Sequence, residues 1–207
     1  MKNILNYQTS EYDCGPTTLI NAIRYLFDRE QITPELLKAI SLYTLDAYND
    51  NGEDGKNGTS QMAMKFISSW LNQYGKSRQF PVYSEFLEGE QVYIGQNSPL
   101  IGCIQQQGVV VARVWHGGEG HYVLLNEVEG DEIGIFDPYY TSKAYHTQEI
   151  SSVEGQPEKK NHRVKMELMN RQDTSTYALG EITKREAMLI YCTTTRQVPD
   201  NSIEFII

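Results

Sequence analysis

The chain has 207 residues, 18 basic and 27 acidic side chains for a formal charge of −9, and is 40% hydrophobic and 11% aromatic. That length suits one medium domain, which typically buries roughly 70% of its unfolded surface, and the apolar content excludes global disorder. An acidic balance with no basic stripe argues against a nucleic acid or an anionic membrane surface as partner.

The N-terminus, MKNILNYQTSEYDCG, lacks the apolar core of a signal peptide. No apolar run reaches the roughly 18 residues of a membrane span. Three widely spaced cysteines, Cys14, Cys103 and Cys192, make neither a disulfide framework nor a thiolate zinc site. We therefore expect a soluble, reduced, cytoplasmic protein, residues 1–207 forming a single domain.

From Gly15 to Arg29 the apolar residues Leu19, Ile20, Ala22, Ile23, Leu26 and Phe27 recur at three- and four-residue steps, which predicts a helix. Pro16 fits its first turn, where a missing N–H costs nothing. Thr33 and Pro34 open a second helix through about Leu42. Residues 49–60, NDNGEDGKNGTS, read as a mobile surface insertion. They miss the calcium-loop spacing, because the third position from Asp50 is Gly52 and the twelfth is Gln61. Helical spacing returns from Met62 to Tyr74.

The second half changes period. Leu100 to Ile104, Val109 to Trp115, Tyr122 to Val128 and Glu132 to Phe136 are β-branched and aromatic segments separated by glycines, which predicts antiparallel strands. Ser151 to Arg163 reads as a polar excursion, the whole of 151–186 as an insertion, and Ala187 to Thr193 as a closing strand. Helices first and strands second favour α+β, with the helices on one face of the sheet.

QTSEYDCGPTT, residues 8–18, places Cys14 at a helix start, where the helix dipole and free N–H groups favour a thiolate. Gln8 is an uncharged donor that can return across the turn and join the Cys14 N–H at an oxyanion. His121 opens the strand HYVLLNEVEG, and Asp137 ends the strand EIGIF before Pro138. A turn at Gly130 and Asp131 brings these two side by side, so that the carboxylate can orient the imidazole. Taken singly, Cys14 reads as a small buried residue and Asp137 as a turn residue. Cys103 and Cys192 sit in strand-like apolar settings and read as buried and inert. His116 reads as a hairpin residue on a cleft rim, Trp115 as a cleft wall or core residue, and His146 and His162 as solvated.

The order of glutamine, Asp-Cys-Gly six residues later, a helix, a strand beginning His-Tyr-Val and a strand ending Asp-Pro resembles the papain-like cysteine peptidases that remove double-glycine leaders from bacteriocin precursors. The stand-alone relatives are nearer than the exporter domains, since Gly15-Pro16-Thr17-Thr18 follows the cysteine. The resemblance covers residues 8–28 and 98–140. It implies a papain-like fold, an N-terminal helical lobe on a C-terminal antiparallel sheet. It also implies Cys14 as nucleophile, His121 as base, Asp137 as its orienter and Gln8 as oxyanion donor, with a peptide or protein substrate and no metal or cofactor. An association with an exporter or secretion system stays open. The same residues suit a transglutaminase-like or deamidating acyl transferase, and the same fold suits a peptide-binding module without turnover.

Overall fold

A computed structural model describes residues 3–197. Three helices come first: α1 (Cys14–Leu26), α2 (Pro34–Thr44) and α3 (Gln61–Arg78). Their starts are written in the sequence. Thr33 accepts the Leu36 N–H at 3.2 Å with Pro34 in the first turn of α2, and Ser60 accepts the Ala63 N–H at 3.1 Å to begin α3. α3 stops where Gln79 turns left-handed, with Lys76 and Arg78 in its last turn, where the helix dipole favours cations.

Next come β1 (Val82–Glu88), α4 (Pro99–Gln105), β2 (Val109–His116), β3 (Glu119–Glu129) and β4 (Glu132–Phe136). β5 (Ile150–Ser152), β6 (His162–Lys165), the short α5 (Met166–Met169) and β7 (Glu186–Cys192) complete the described chain. The strands form one antiparallel sheet in the order β1-β7-β2-β3-β4-β6-β5. The α+β expectation holds. β2 and β3 join through Gly117 and Gly118, both at positive φ, so that His116 pairs with Glu119 across a two-residue turn.

Four expectations need correction. Leu100 to Ile104 lies in helix α4 rather than a strand: Ser98 caps it by accepting the Ile101 N–H at 3.1 Å, and Pro99 occupies its first turn. Strand β1 was not foreseen. Residues 151–163 leave the sheet at β5 and re-enter it at β6, so both ends are integral strands. Finally, both faces of the sheet are covered. Leu19, Ile23, Leu36, Ile40, Ile67 and Leu71 of α1 to α3 pack on the face bearing Val109, Val111 and Leu124. Leu100, Leu168, Met169 and Tyr177 cover the other, with Val110, Val123, Leu125, Ile133 and Ile135. Each such fully buried aliphatic side chain contributes about 1.5–3 kcal/mol of transfer free energy. Two packed layers fix the sheet on which the candidate site stands.

Candidate active site

The approach to Cys14 is braced by its neighbour. The Asp13 carboxylate accepts from the Ser10 N–H at 2.7 Å, the Thr9 N–H at 3.1 Å, and both hydroxyls of that pair. Burial opposes its charge, but these bonds outweigh burial and hold Asp13 below its ordinary pKa. Residues 9–13 therefore close a tight turn that delivers Cys14, itself buried, to the first position of α1. Gly15 is required there because a Cβ would strike the Thr59 side chain. Thr59 is the next-to-last residue of the 49–60 loop, which is largely exposed but cross-tied: Asn57 N–H to the Ala47 carbonyl at 3.1 Å, Ser60 N–H to Asp46 Oδ1 at 2.8 Å, Lys56 to Glu53 at 2.7 Å. This loop walls one side of a cleft of about 860 Å³ that opens onto Cys14.

The opposite wall comes from Arg113, Gly120, Tyr122 and Glu186. Trp115 does not line the cleft itself; the Arg113 guanidinium lies 5.5 Å from its ring centre. Glu186 is 3% exposed and accepts the Tyr122 hydroxyl; burial raises its pKa. Nothing in the sequence marked Glu186 as a cleft residue, because its position depends on β7 sitting between β1 and β2.

His121 and Asp137 meet as the sequence predicts. His121 Nε2 lies 2.6 Å from Asp137 Oδ1, and both side chains are buried, 7% and 1% exposed. Asp137 sits one residue past β4, on the face shared by Ile133 and Ile135. Burial works against a charged His121 ring, but hydrogen bonds to Asp137 and Cys14 and their negative charges prevail, pushing its pKa up to about 10. With Nε2 occupied by Asp137, Nδ1 is the nitrogen left for the thiol. Burial likewise opposes the Asp137 charge; His121, the Tyr139 N–H and the Tyr177 hydroxyl overcome it and lower its pKa.

Gln8 reaches the same neighbourhood through its backbone, donating its N–H to the Pro138 carbonyl at 2.8 Å. Its Nε2 donates to the Ser10 carbonyl at 2.8 Å, which leaves a second amide hydrogen, while its Oε1 is buried without a partner among the described residues. Cys14, His121, Asp137 and Gln8 thus all border one corner of the molecule.

Around them the histidines divide. The His116 ring lies 5.2 Å from that of His121 and 5.3 Å from Tyr139; it is half-buried, and burial lowers its pKa. His146 is exposed as expected. His162 is a correction: it is 4% exposed, its Nδ1 is 3.2 Å from Ser152 Oγ, and burial lowers its pKa. It points inward because β6 continues the sheet, which polar neighbours in sequence concealed. Cys103 is buried with its pKa pushed up to about 12 by that burial. Cys192 is buried too, yet hydrogen bonds from Thr194 and Thr195 outweigh burial and lower its pKa.

Donor atoms of His116, His121 and Asp137 all lie within 4.8 Å of one another, the spacing of a candidate metal site. The chemistry favours the proton instead. A metal there would have to displace the proton that Nε2 and Oδ1 share at 2.6 Å. Three protein groups that the sequence reading missed close the arrangement: Tyr177, Tyr139 and Asn161 all bond to Asp137.

No family model matches the chain, and no curated protein matches it. Similar solved structures include a double-glycine motif protease and two transporter peptidase domains. One is a double-glycine motif protease from an AMS/PCAT transporter in complex with the leader peptide: 11% identity, TM-score 0.42, covering 92% of this chain and 91% of that one. Another is the peptidase domain of Streptococcus ComA, a bi-functional ABC transporter involved in a quorum-sensing pathway: 11% identity, TM-score 0.45, covering 91% and 97%. The peptidase domain of Streptococcus mutans ComA gives 12% identity and a TM-score of 0.41, covering 91% and 98%. No helix among the described residues is long and apolar enough to cross a membrane.

Proposed function

We propose that the protein is a papain-like cysteine peptidase of the double-glycine leader kind, acting through Cys14, His121 and Asp137. The observation that carries this reading is the buried His121–Asp137 pair at 2.6 Å, with Cys14 at a helix N-terminus as the other partner of the ring. His121 takes the proton of Cys14, and the thiolate attacks a peptide carbonyl. The Cys14 backbone N–H and the free amide hydrogen of Gln8 receive the oxyanion. His121 then delivers its proton to the leaving amine, and takes one from the water that hydrolyses the thioester. Asp137 keeps the ring oriented and charged throughout. The cleft beside Cys14 is where the peptide chain lies, its own compartment being the cytoplasm.

The test is competitive alkylation followed by peptide mapping. In the native protein near neutral pH, iodoacetamide should modify Cys14 before Cys103 and Cys192. Cys192 is the demanding comparison, because its pKa is also lowered. Precursor peptides that continue beyond a Gly-Gly leader end should be cleaved after the second glycine by the native chain and not by Cys14→Ser. Labelling of Cys14 no faster than that of Cys192 would remove the nucleophile assignment, and labelling without cleavage of any peptide would remove the peptidase.

A further inference from the structure

We propose that Tyr177 is a positioning residue for the His121–Asp137 pair, its hydroxyl locking the Asp137 carboxylate in the rotation that keeps one oxygen on the His121 ring. The consequence for turnover rests on the peptidase reading above; the geometry does not.

Asp137 needs such a lock. Its Oδ1 serves two donors, His121 Nε2 at 2.6 Å and the Tyr139 N–H at 2.8 Å. Among the described residues its Oδ2 takes a hydrogen bond from the Tyr177 hydroxyl, at 2.8 Å. A carboxylate that is 1% exposed has no solvent to fill a vacant oxygen, so without the phenol it would turn to share its remaining donors between its two oxygens. The backbone of Asp137 is gripped as well: its N–H donates to Asn161 Oδ1 and its carbonyl accepts from Asn161 Nδ2, both at 2.8 Å. Backbone and carboxylate are thus both held by the 151–186 stretch, which gives that part of the chain a task. It can do so because Asp137 continues the Ile133 and Ile135 face of the sheet, the face Tyr177 covers.

Tyr177 itself bears the mark of a constrained residue. Its φ is +69°, a region that bulky side chains rarely enter and that persists only where surroundings enforce it. The Tyr177 N–H donates to the Trp115 carbonyl at 2.7 Å, and the Trp115 N–H to the Ala178 carbonyl at 2.8 Å, which clamps the segment onto the end of β2. The ring is boxed by His116, stacked at 6.1 Å, His162 at 5.8 Å and Tyr145 at 6.1 Å, so the hydroxyl has no other direction to point. A phenylalanine would fill this space equally well; only the hydroxyl explains why a tyrosine is strained into place. Burial and the Asp137 charge push the phenol well above its ordinary pKa, so it remains a donor.

Tyr177→Phe removes that hydroxyl alone. Turnover of a cleaved peptide should fall about tenfold or more with KM nearly unchanged, as when an outer hydrogen bond orienting a working histidine is lost. The pH profile of Cys14 alkylation needs no substrate. Its upper inflection, set by the imidazolium that Cys14 and Asp137 support with His116 nearby, should move to lower pH as the Asp137 bond loosens. In an Asp137→Asn background, adding Tyr177→Phe should cost nothing further. An unchanged inflection, or equal losses in both backgrounds, overturns the proposal and leaves Tyr177 a packing residue. Should the phenylalanine variant not fold, the ring carbon bearing the hydroxyl, labelled in the native chain, gives the answer. Its Tyr177 resonance should shift on Asp137→Asn, and an unmoved signal overturns the proposal. If the inflection moves while the native chain cleaves no peptide, the peptidase reading fails and the role of Tyr177 stands.

Discussion

Thr18 Oγ1 donates a hydrogen bond to the Tyr122 carbonyl at 2.9 Å, and both residues are buried. The bond joins two elements 104 residues apart in sequence. Thr18 is one turn beyond Cys14 on α1, and Tyr122 follows His121 on β3, so this contact gauges the distance between the proposed nucleophile and its proposed base. Packing of α1 against β3 supplies the force; the bond supplies the register.

Thr18→Val keeps the shape and removes the donor. The stability cost should be about 0.5–1.5 kcal/mol, a Tm decrease of roughly 2–4 °C per kcal/mol for a chain of this size. The rate should suffer more, because a displacement of about 1 Å at reacting groups can cost ~10²-fold. We expect slower Cys14 alkylation and slower turnover in a folded protein. Native rates in Thr18→Val would mean that apolar packing alone sets the spacing.

The His121 shift carries a stability consequence with a definite sign. Its folded pKa, about 10, lies above the ordinary 6.5, so the folded state binds the proton more tightly than the unfolded chain. The resulting stabilisation is complete below pH 6.5 and is lost as pH rises towards 10. Denaturant midpoints across that interval should therefore decline more steeply for the native chain than for His121→Gln. Parallel declines in the two proteins would show that the buried pair does not hold the ring charged. Asp137 acts in the opposite sense, its lowered pKa contributing stability above the ordinary carboxylate range that is lost in acid.

What the sequence made legible followed the strength of local signals. β2, β3 and β4 were readable because β-branched runs end at Gly117, Gly118 and Gly130, which occupy positive φ in tight turns. Cys14 at the start of α1 and Asp137 one residue past β4 stand at element ends, whereas His121, expected to open its strand, is the third residue of β3. α4 was misread because an apolar run of five residues has no decisive period, and the Ser98-Pro99 start was the better signal. β1 hid behind Ser84 and Glu85, although its inward and outward residues alternate. β6 hid behind His162, Arg163 and Lys165. Tyr177 and Asn161 were out of reach, since their contacts with Asp137 span 40 and 24 residues and depend on the second layer of the fold.

Gln8 offers the sharpest division between a chemical and a structural role, because its two anchors are of different kinds. The N–H bond to the Pro138 carbonyl belongs to the backbone and survives any side-chain change. The side chain contributes one bond, Nε2 to the Ser10 carbonyl at 2.8 Å, at an exposed turn. Gln8→Ala should consequently cost no more than about 1 kcal/mol of stability. It also removes the second Nε2 hydrogen, the one proposed to meet the oxyanion, and the loss of such a donor typically lowers the chemical rate by roughly 10²–10³-fold. Substrate affinity should change far less, since the charge it meets develops only in the transition state. Alkylation of Cys14 by iodoacetamide should continue at the native rate, because that displacement forms no acyl oxyanion. Gln8→Glu, equal in shape but carrying a negative charge towards the developing oxyanion, should be at least as slow as the alanine variant. A folded Gln8→Ala protein that turns over peptide at the native rate would leave the Cys14 N–H as the proposed oxyanion donor and reduce Gln8 to a strap on the N-terminal segment.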